Sequence, residues 1–273
     1  MSTYLLTDNL YNTRQYPSHT VTASGGAVTG YEVFRIANAR RHARDYWTPS
    51  SSNTTVNIDV ACDRVRAANM LVIDRNSGLS GATVTVTSSQ QSSYATSEDV
   101  SFTVPASVYR ANTLRPGHPV KTQEGAIILT FNLSAGKYWR VTVAAMGAGI
   151  KPTIGGLWLG RSYTPTIVPL PWDDETRYLE RQDVRLGMPG AFSDTGRSAD
   201  LRIMVKNDAE WETARRSMLQ FWSGTPLWYV ADSDYGENSW LGYAPPTSFG
   251  APYTNRTGRD LTISLSELQP VRV

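Results

Sequence analysis

Five short runs rich in Val, Ile and Thr follow one another between Thr54 and Val143, separated by turn residues and without a helical period. Thr54 to Val60 alternates, which places Val56, Ile58 and Val60 on one face of a strand. Ala68 to Asp74 is a denser apolar run and suits a strand buried on both faces. Ala82 to Thr87 alternates again and is β-branched. Ala126 to Leu133 and Tyr138 to Val143 follow, the second alternating with Arg140 and Thr142. Asn76-Ser77-Gly78 and Ser134-Ala135-Gly136 supply turns. Strands in series with no helix between them can bury their apolar faces only against one another, so residues 1–160 read as a β-sandwich or jelly roll.

The pattern then changes. Arg161 to Pro171 holds three prolines, each fixing φ and removing a backbone donor, and reads as an extended linker over 161–171. Residues 172–273 are mixed. Ala199 to Lys206 is a strand with Leu201, Ile203 and Val205 on one face. Asp208 to Trp222 is predicted helical: Asn207 caps it, Glu210 completes a capping-box pattern, and Trp211, Ala214, Met218, Phe221 and Trp222 form an apolar stripe. Gly224 and Pro226 stop it. Leu227 to Val230 is a short strand, Gly236 to Gly258 a long loop rich in Gly, Pro and Ser, and Leu261 to Leu268 a last strand. The fold expected is mainly β: an N-terminal β-sandwich jelly roll plus a C-terminal α+β domain with one principal helix.

Composition narrows the chemistry. The one cysteine, Cys62, excludes a disulfide framework and a multi-cysteine metal site. His19, His42 and His118 are far apart and form no paired motif, so zinc and His-based triads are poorly supplied. The net charge of +2 gives no support for nucleic-acid or membrane-surface binding. The N-terminus shows no secretory pattern, and no stretch has the ~18 apolar residues of a membrane span, so no membrane insertion is expected. Four lysines against eight Trp and fourteen Tyr match the bias of protein interfaces, though a GC-rich genome would give the same Arg-for-Lys skew.

Two resemblances follow from particular residues. Trp47 before a turn, Ile58-Asp59-Val60, Met70 to Ile73 closed by Asp74-Arg75-Asn76, Tyr138-Trp139-Arg140-Val141-Thr142-Val143, and Ile154-Gly155-Gly156-Leu157-Trp158-Leu159-Gly160 stand in an order that resembles a discoidin-like (galactose-binding-like) jelly roll over residues 1–160. Gly156 stands where that family often has Glu. The resemblance implies a binding module that presents loops at one end of the sandwich to sugars, lipids or proteins. The strand with Leu201 and Ile203, the helix, Trp222-Ser223-Gly224-Thr225-Pro226-Leu227-Trp228-Tyr229 and the closing Leu261 to Glu267 resemble a tail-tip domain of tailed bacteriophages.

Candidate residues follow. Tyr31, Tyr46 and Trp47 with Arg40, Arg41 and Arg44 form an aromatic and arginine cluster suited to stacking on a sugar or gripping an anion, unless Trp47 is core and the arginines a solvated loop. Trp240, Tyr243, Phe249 and Tyr253 lie in the expected long loop and are candidate subunit contacts. Trp172 to Glu175 is an acidic cluster without cation-loop spacing, and Asp232 with Asp234 is a carboxylate pair of the kind glycosidases use. No catalytic, metal or cofactor residue is assigned. The function expected is non-enzymatic: a phage tail-tip or baseplate component (distal tail protein-like), forming a homo-oligomeric ring between tail tube and hub or fibres and located in the virion. The alternatives are a sugar-binding host-adhesion module with a surface glycan as partner, or the accessory part of a carbohydrate-active enzyme.

Overall fold

The computed structural model describes residues 2–37, 45–52, 55–107, 113–147, 149–165, 179–182, 193–196, 198–205, 209–212, 226–230, 232–243, 249–250, 253–255 and 258–267. The expected Val/Ile/Thr strands build two antiparallel sheets. One has the order β2 (Thr20–Ala23), β3 (Thr55–Arg66), β9 (Gly136–Ala144), β5 (Thr83–Ser89), β6 (Ser97–Thr103). The other runs β10 (Thr153–Gly160), β4 (Met70–Ser77), β8 (Ile127–Thr130), β7 (Val120–Lys121). Alternation sets the inner faces. Val56, Ile58 and Val60 of β3, Val84 and Val86 of β5 and Trp139, Val141 and Val143 of β9 pack against Leu71, Ile73, Leu129, Leu157 and Leu159. Each such side chain, fully buried, contributes about 1.5–3 kcal/mol. The opposite face of β3 and β9 is polar, with Asn57 opposite Thr142 and Asp59 opposite Arg140.

The third sheet is where the two halves of the chain meet. Its strand path is β11 (Ser162–Tyr163), β1 (Tyr4–Leu6), β15 (Leu227–Val230), β16 (Trp240–Tyr243), β19 (Gly258–Glu267), β14 (Ser198–Val205). β17 (Phe249–Gly250) and β18 (Tyr253–Asn255) also pair with β19, and β12 (Leu179–Gln182) and β13 (Ser193–Gly196) form a separate hairpin. The sandwich is therefore entered and left through adjacent strands: Leu5 pairs with Tyr163 and Leu6 with Ser162. On its other side β1 pairs with β15, Tyr4 opposite Val230.

Burial on both faces of β4 follows from this stacking. Leu71 and Ile73 face the sandwich core. Met70 and Val72, with Trp158 and Ile128, face Leu6, Trp228, Val230 and Leu241 of the third sheet. The loop before β2 is tied down by polar groups: Tyr11 Oη donates to the Ile58 carbonyl at 3.0 Å, Asn9 Nδ2 to the Leu157 carbonyl at 3.0 Å and Tyr16 Oη to Asp8 Oδ1 at 2.5 Å.

Several expectations change. Within the long loop expected over 236–258, the described residues form the end of a 3-10 turn, Ser233–Asn238, and the strands β16, β17 and β18, while 244–248, 251–252 and 256–257 lie outside the described residues. Pairing to β15 and β19 supplies partners for these strands' backbones, which for the buried β16 a loop would leave unmet. Of the expected linker, Ser162–Tyr163 pair with β1, while 166–171 lie outside the described residues. Of the expected helix over 208–222, 209–212 are helical, while Asp208, its expected cap Asn207, and 213–222 lie outside the described residues. β2 and β6, polar edge strands, were not anticipated.

Candidate functional site

One end of the sandwich is built by the chain between β2 and β3, the start of β10 and the end of β4. Gly25, Gly26 and Gly30 adopt positive φ of 80°, 65° and 85°, turning the chain back across the sandwich mouth. The Gly25 carbonyl accepts from Ser50 Oγ at 2.7 Å, and the Val28 N–H donates to the Thr48 carbonyl at 3.1 Å. Trp47 anchors the return. Its backbone exchanges hydrogen bonds with Ile154 at 2.8 and 3.0 Å, its Nε1 donates to the Gly26 carbonyl at 3.3 Å, and its side chain is fully buried.

On this frame Tyr31 and Tyr46 stack, ring centroids 4.4 Å apart and planes at 26°. Both are half-buried, so each keeps an open surface. A hydrogen bond between the two hydroxyls, reinforced by burial, raises the Tyr46 hydroxyl above its ordinary range. Beside the pair, Arg35 Nη1 donates to Asp45 Oδ1 at 3.0 Å, and its Nε lies 3.4 Å from Glu32 Oε2. Arg75 Nη1 donates to the Asp45 carbonyl at 2.9 Å and Nη2 to the Gly155 carbonyl, locking the segment to β4 and β10. The Gly30 N–H donates to Glu32 Oε1 at 2.9 Å, and hydrogen bonds of this kind hold the Glu32 carboxyl below its ordinary range. Phe34, next to Arg35, is 62% exposed.

The structure thus brings Tyr31 and Tyr46 together and moves Trp47 out of the expected site. Trp47 is core because it closes the barrel-like end between Gly26 and Ile154, and it has no face to offer a ligand. Arg40, Arg41 and Arg44 lie outside the described residues. Sequence reading missed Glu32, Phe34, Arg35 and Asp45. Their signal, a short charged and aromatic stretch next to Tyr31, has no spacing rule behind it.

The expected subunit contacts also change. Trp240 is 4% exposed and packs edge-on against Tyr229 at 5.1 Å, within its own chain. It is a core residue because β16 is an inner strand of the third sheet. Tyr243 is half-buried at the end of β16, opposite Ser266. Phe249 and Tyr253 lie on β17 and β18 at register positions opposite Ile263 and Arg259.

Catalytic groups are poorly placed among the described residues. Asp232 caps the 3-10 turn, its Oδ1 accepting the Asp234 N–H at 2.8 Å. Burial pushes the Cys62 thiol up to about 12, so it supplies no thiolate nucleophile. His19 is buried between the Leu10 carbonyl at 2.9 Å and Asp63 at 3.2 Å. Among the described residues no three His, Cys, Asp or Glu side chains gather as a metal site. The acidic cluster Trp172 to Glu175 lies outside the described residues.

The sequence matches no protein-family model and no curated protein. In structure the chain is similar to carbohydrate-binding modules and to part of a fucosidase. Chitosan-binding module 1 of a chitosanase/glucanase from Paenibacillus sp. IK-5 is 17% identical, with 56% of this chain and 98% of the module covered and a TM-score of 0.40. The CBM32-1 and CBM32-2 domains of Clostridium perfringens ZmpB, solved with GalNAc, are 14% identical, covering 55% of this chain and 36% of theirs, TM-score 0.40. A Ruminococcus gnavus GH29 fucosidase mutant, solved with fucose, is 13% identical at TM-score 0.40; the match covers 57% of this chain and 27% of the fucosidase.

Proposed function

We propose that this chain is a non-catalytic carbohydrate-binding protein and that its glycan docks on the Tyr31–Tyr46 pair. The observation that carries the reading is that stack itself: two aromatic rings held half-open at a loop-built end of a β-sandwich, next to Arg35, Glu32 and Asp45. The face of an aromatic ring is the negative pole of its quadrupole and receives the weakly positive C–H face of a pyranose. Carboxylates and a guanidinium at its rim match the donors and acceptors of adjacent hydroxyls. Arg75 on the Asp45 carbonyl and the Trp47–Ile154 backbone pair hold the residues either side of Tyr46 in place, which reduces the ordering left to be done there on binding.

The test is a glycan array followed by titration calorimetry with the full chain. Tyr31→Ala and Tyr46→Ala should each weaken the best glycan about tenfold or more, the loss of ~1.4 kcal/mol or more. Binding that both substitutions leave untouched, or no glycan bound at all, refutes the reading.

A place in a phage tail rests on the resemblance of residues 170–273, taken together with the discoidin-like module that precedes it. Joined to the present reading, it makes the sandwich a host-glycan reader carried by a tail-tip ring that meets tube, hub or fibres. Mass spectrometry of purified virions tests that location, and ring-sized assemblies with a tail-tube protein test the assembly role.

A further inference from the structure

We propose that two copies of this chain join through β14, edge to edge about a two-fold axis, with Leu201 of one copy opposite Leu201 of the other. The third sheet ends at β14. Its inner edge pairs with β19 over eight residues, from Ser198 opposite Ser266 to Val205 opposite Arg259. Among the described residues no strand pairs with its outer edge. β19 is saturated: β14 takes one side, and β16, β17 and β18 share the other. An eight-residue strand without Pro or Gly at a sheet edge presents a row of backbone donors and acceptors, which is a template for another strand. Such edges are normally blunted by shortness, a bulge, proline or charge; β14 is eight residues long with no proline or register shift over its paired length, and its two charged residues, Asp200 and Arg202, are of opposite sign.

The sequence of β14 is complementary to itself. In an antiparallel pairing centred on Leu201, Asp200 of each copy stands opposite Arg202 of the other, twice over. On the other face Ala199 stands opposite Ile203, twice, around the central Leu201 pair. At the inner edge Leu201 registers opposite Ile263 and Ala199 opposite Leu265, which are 0% and 1% exposed. Shifting the centre by one residue puts Asp200 opposite Asp200 or Arg202 opposite Arg202, and directly opposed like charges are destabilising. The charges therefore select one register. Two-fold pairing of identical edges also closes on itself and leaves no β14 edge for a third copy.

The pairing does not depend on glycan binding. Sedimentation of the full chain across about 1–100 µM should show twice the 30.1 kDa chain mass, falling to the single-chain mass on dilution. Asp200→Arg opposes Arg to Arg at both positions, and Arg202→Asp opposes Asp to Asp; each should raise the dissociation constant about tenfold or more. The double reversal Asp200→Arg/Arg202→Asp should restore the dimer. An equimolar mixture of the two single variants should form a heterodimer, which also shows that both variants fold. A single-chain mass throughout, or a self-association indifferent to the reversals, refutes the proposal.

Discussion

Arg140 holds Asp59 with two arms of its guanidinium, Nε at 2.6 Å from one carboxylate oxygen and Nη2 at 2.9 Å from the other. The residues are 81 apart in sequence and directly opposite across β3 and β9. The Tyr94 ring covers the guanidinium at 4.1 Å. Ile58-Asp59-Val60 and Tyr138-Trp139-Arg140 are two of the motifs that carry the discoidin-like resemblance, and the ion pair is what joins them.

Lysine at position 140 keeps the charge and loses the fork and the flat stacking surface. Both partners are about 30% exposed, so the pair is a modest contributor. Arg140→Lys should lower stability by about 1 kcal/mol, seen as a lower urea midpoint at unchanged slope.

Asp8 gives a pH dependence of defined sign. Burial raises its carboxyl above the ordinary 3.8, and the Tyr16 hydroxyl, the Arg161 backbone and Arg66 only partly offset this. With the folded value above the unfolded one, the unfolded chain loses this proton first. The group therefore costs stability progressively as pH rises from its unfolded value through its folded one. Asp8→Asn should match the parent below about pH 3 and be more stable at pH 7. Thermal melts of both proteins across that range check it, and a gain that persists at low pH is the contrary result.

Gly156 is constrained by its neighbour across the sheet. It pairs with Asp74, which is 2% exposed, and a Cβ at 156 would lie 3.1 Å from the Asp74 Cβ. The glutamate common at this place in discoidin-like domains would meet a buried carboxylate here. Gly156→Glu should cost about 3–5 kcal/mol, and Asp74→Asn in the same chain should recover part of it in a double-mutant cycle in urea.

The shared core beneath β4 predicts joint unfolding of the two halves. Leu6→Ala removes a fully buried side chain that touches both, and should cost about 2–5 kcal/mol. Parent and variant should each melt in one transition by calorimetry. Two separated transitions would show that the halves hold independently.

Sequence reading found most of the sandwich because its inner strands carry their burial pattern openly. Val56, Ile58 and Val60, and Leu227 to Val230, lie in strands where expected. The dense run at Met70 to Ile73 correctly implied two covered faces, but its second cover, Trp228 and Leu241, lies more than 150 residues on and leaves no local mark. β6 escaped because Ser97-Glu98-Asp99-Val100-Ser101 buries little. β1 escaped because three residues have no measurable period, and its partners are long-range. In the candidate site Tyr31 and Tyr46 were legible as loop aromatics, while Trp47 was not separable from them. A tryptophan beside a turn reads alike whether it plugs a sandwich or greets a ligand, and only its bond to the Gly26 carbonyl decides.

A domain strung on one linker can swivel about it. Here the polypeptide goes out through Leu6 and comes home at Ser162, its immediate neighbour, and Trp158 and Met70 sit on the same support. The tyrosine pair thus points in a direction fixed at folding, like a reader mounted on two bolts. Whatever carries the third sheet also sets the angle at which those two rings are presented.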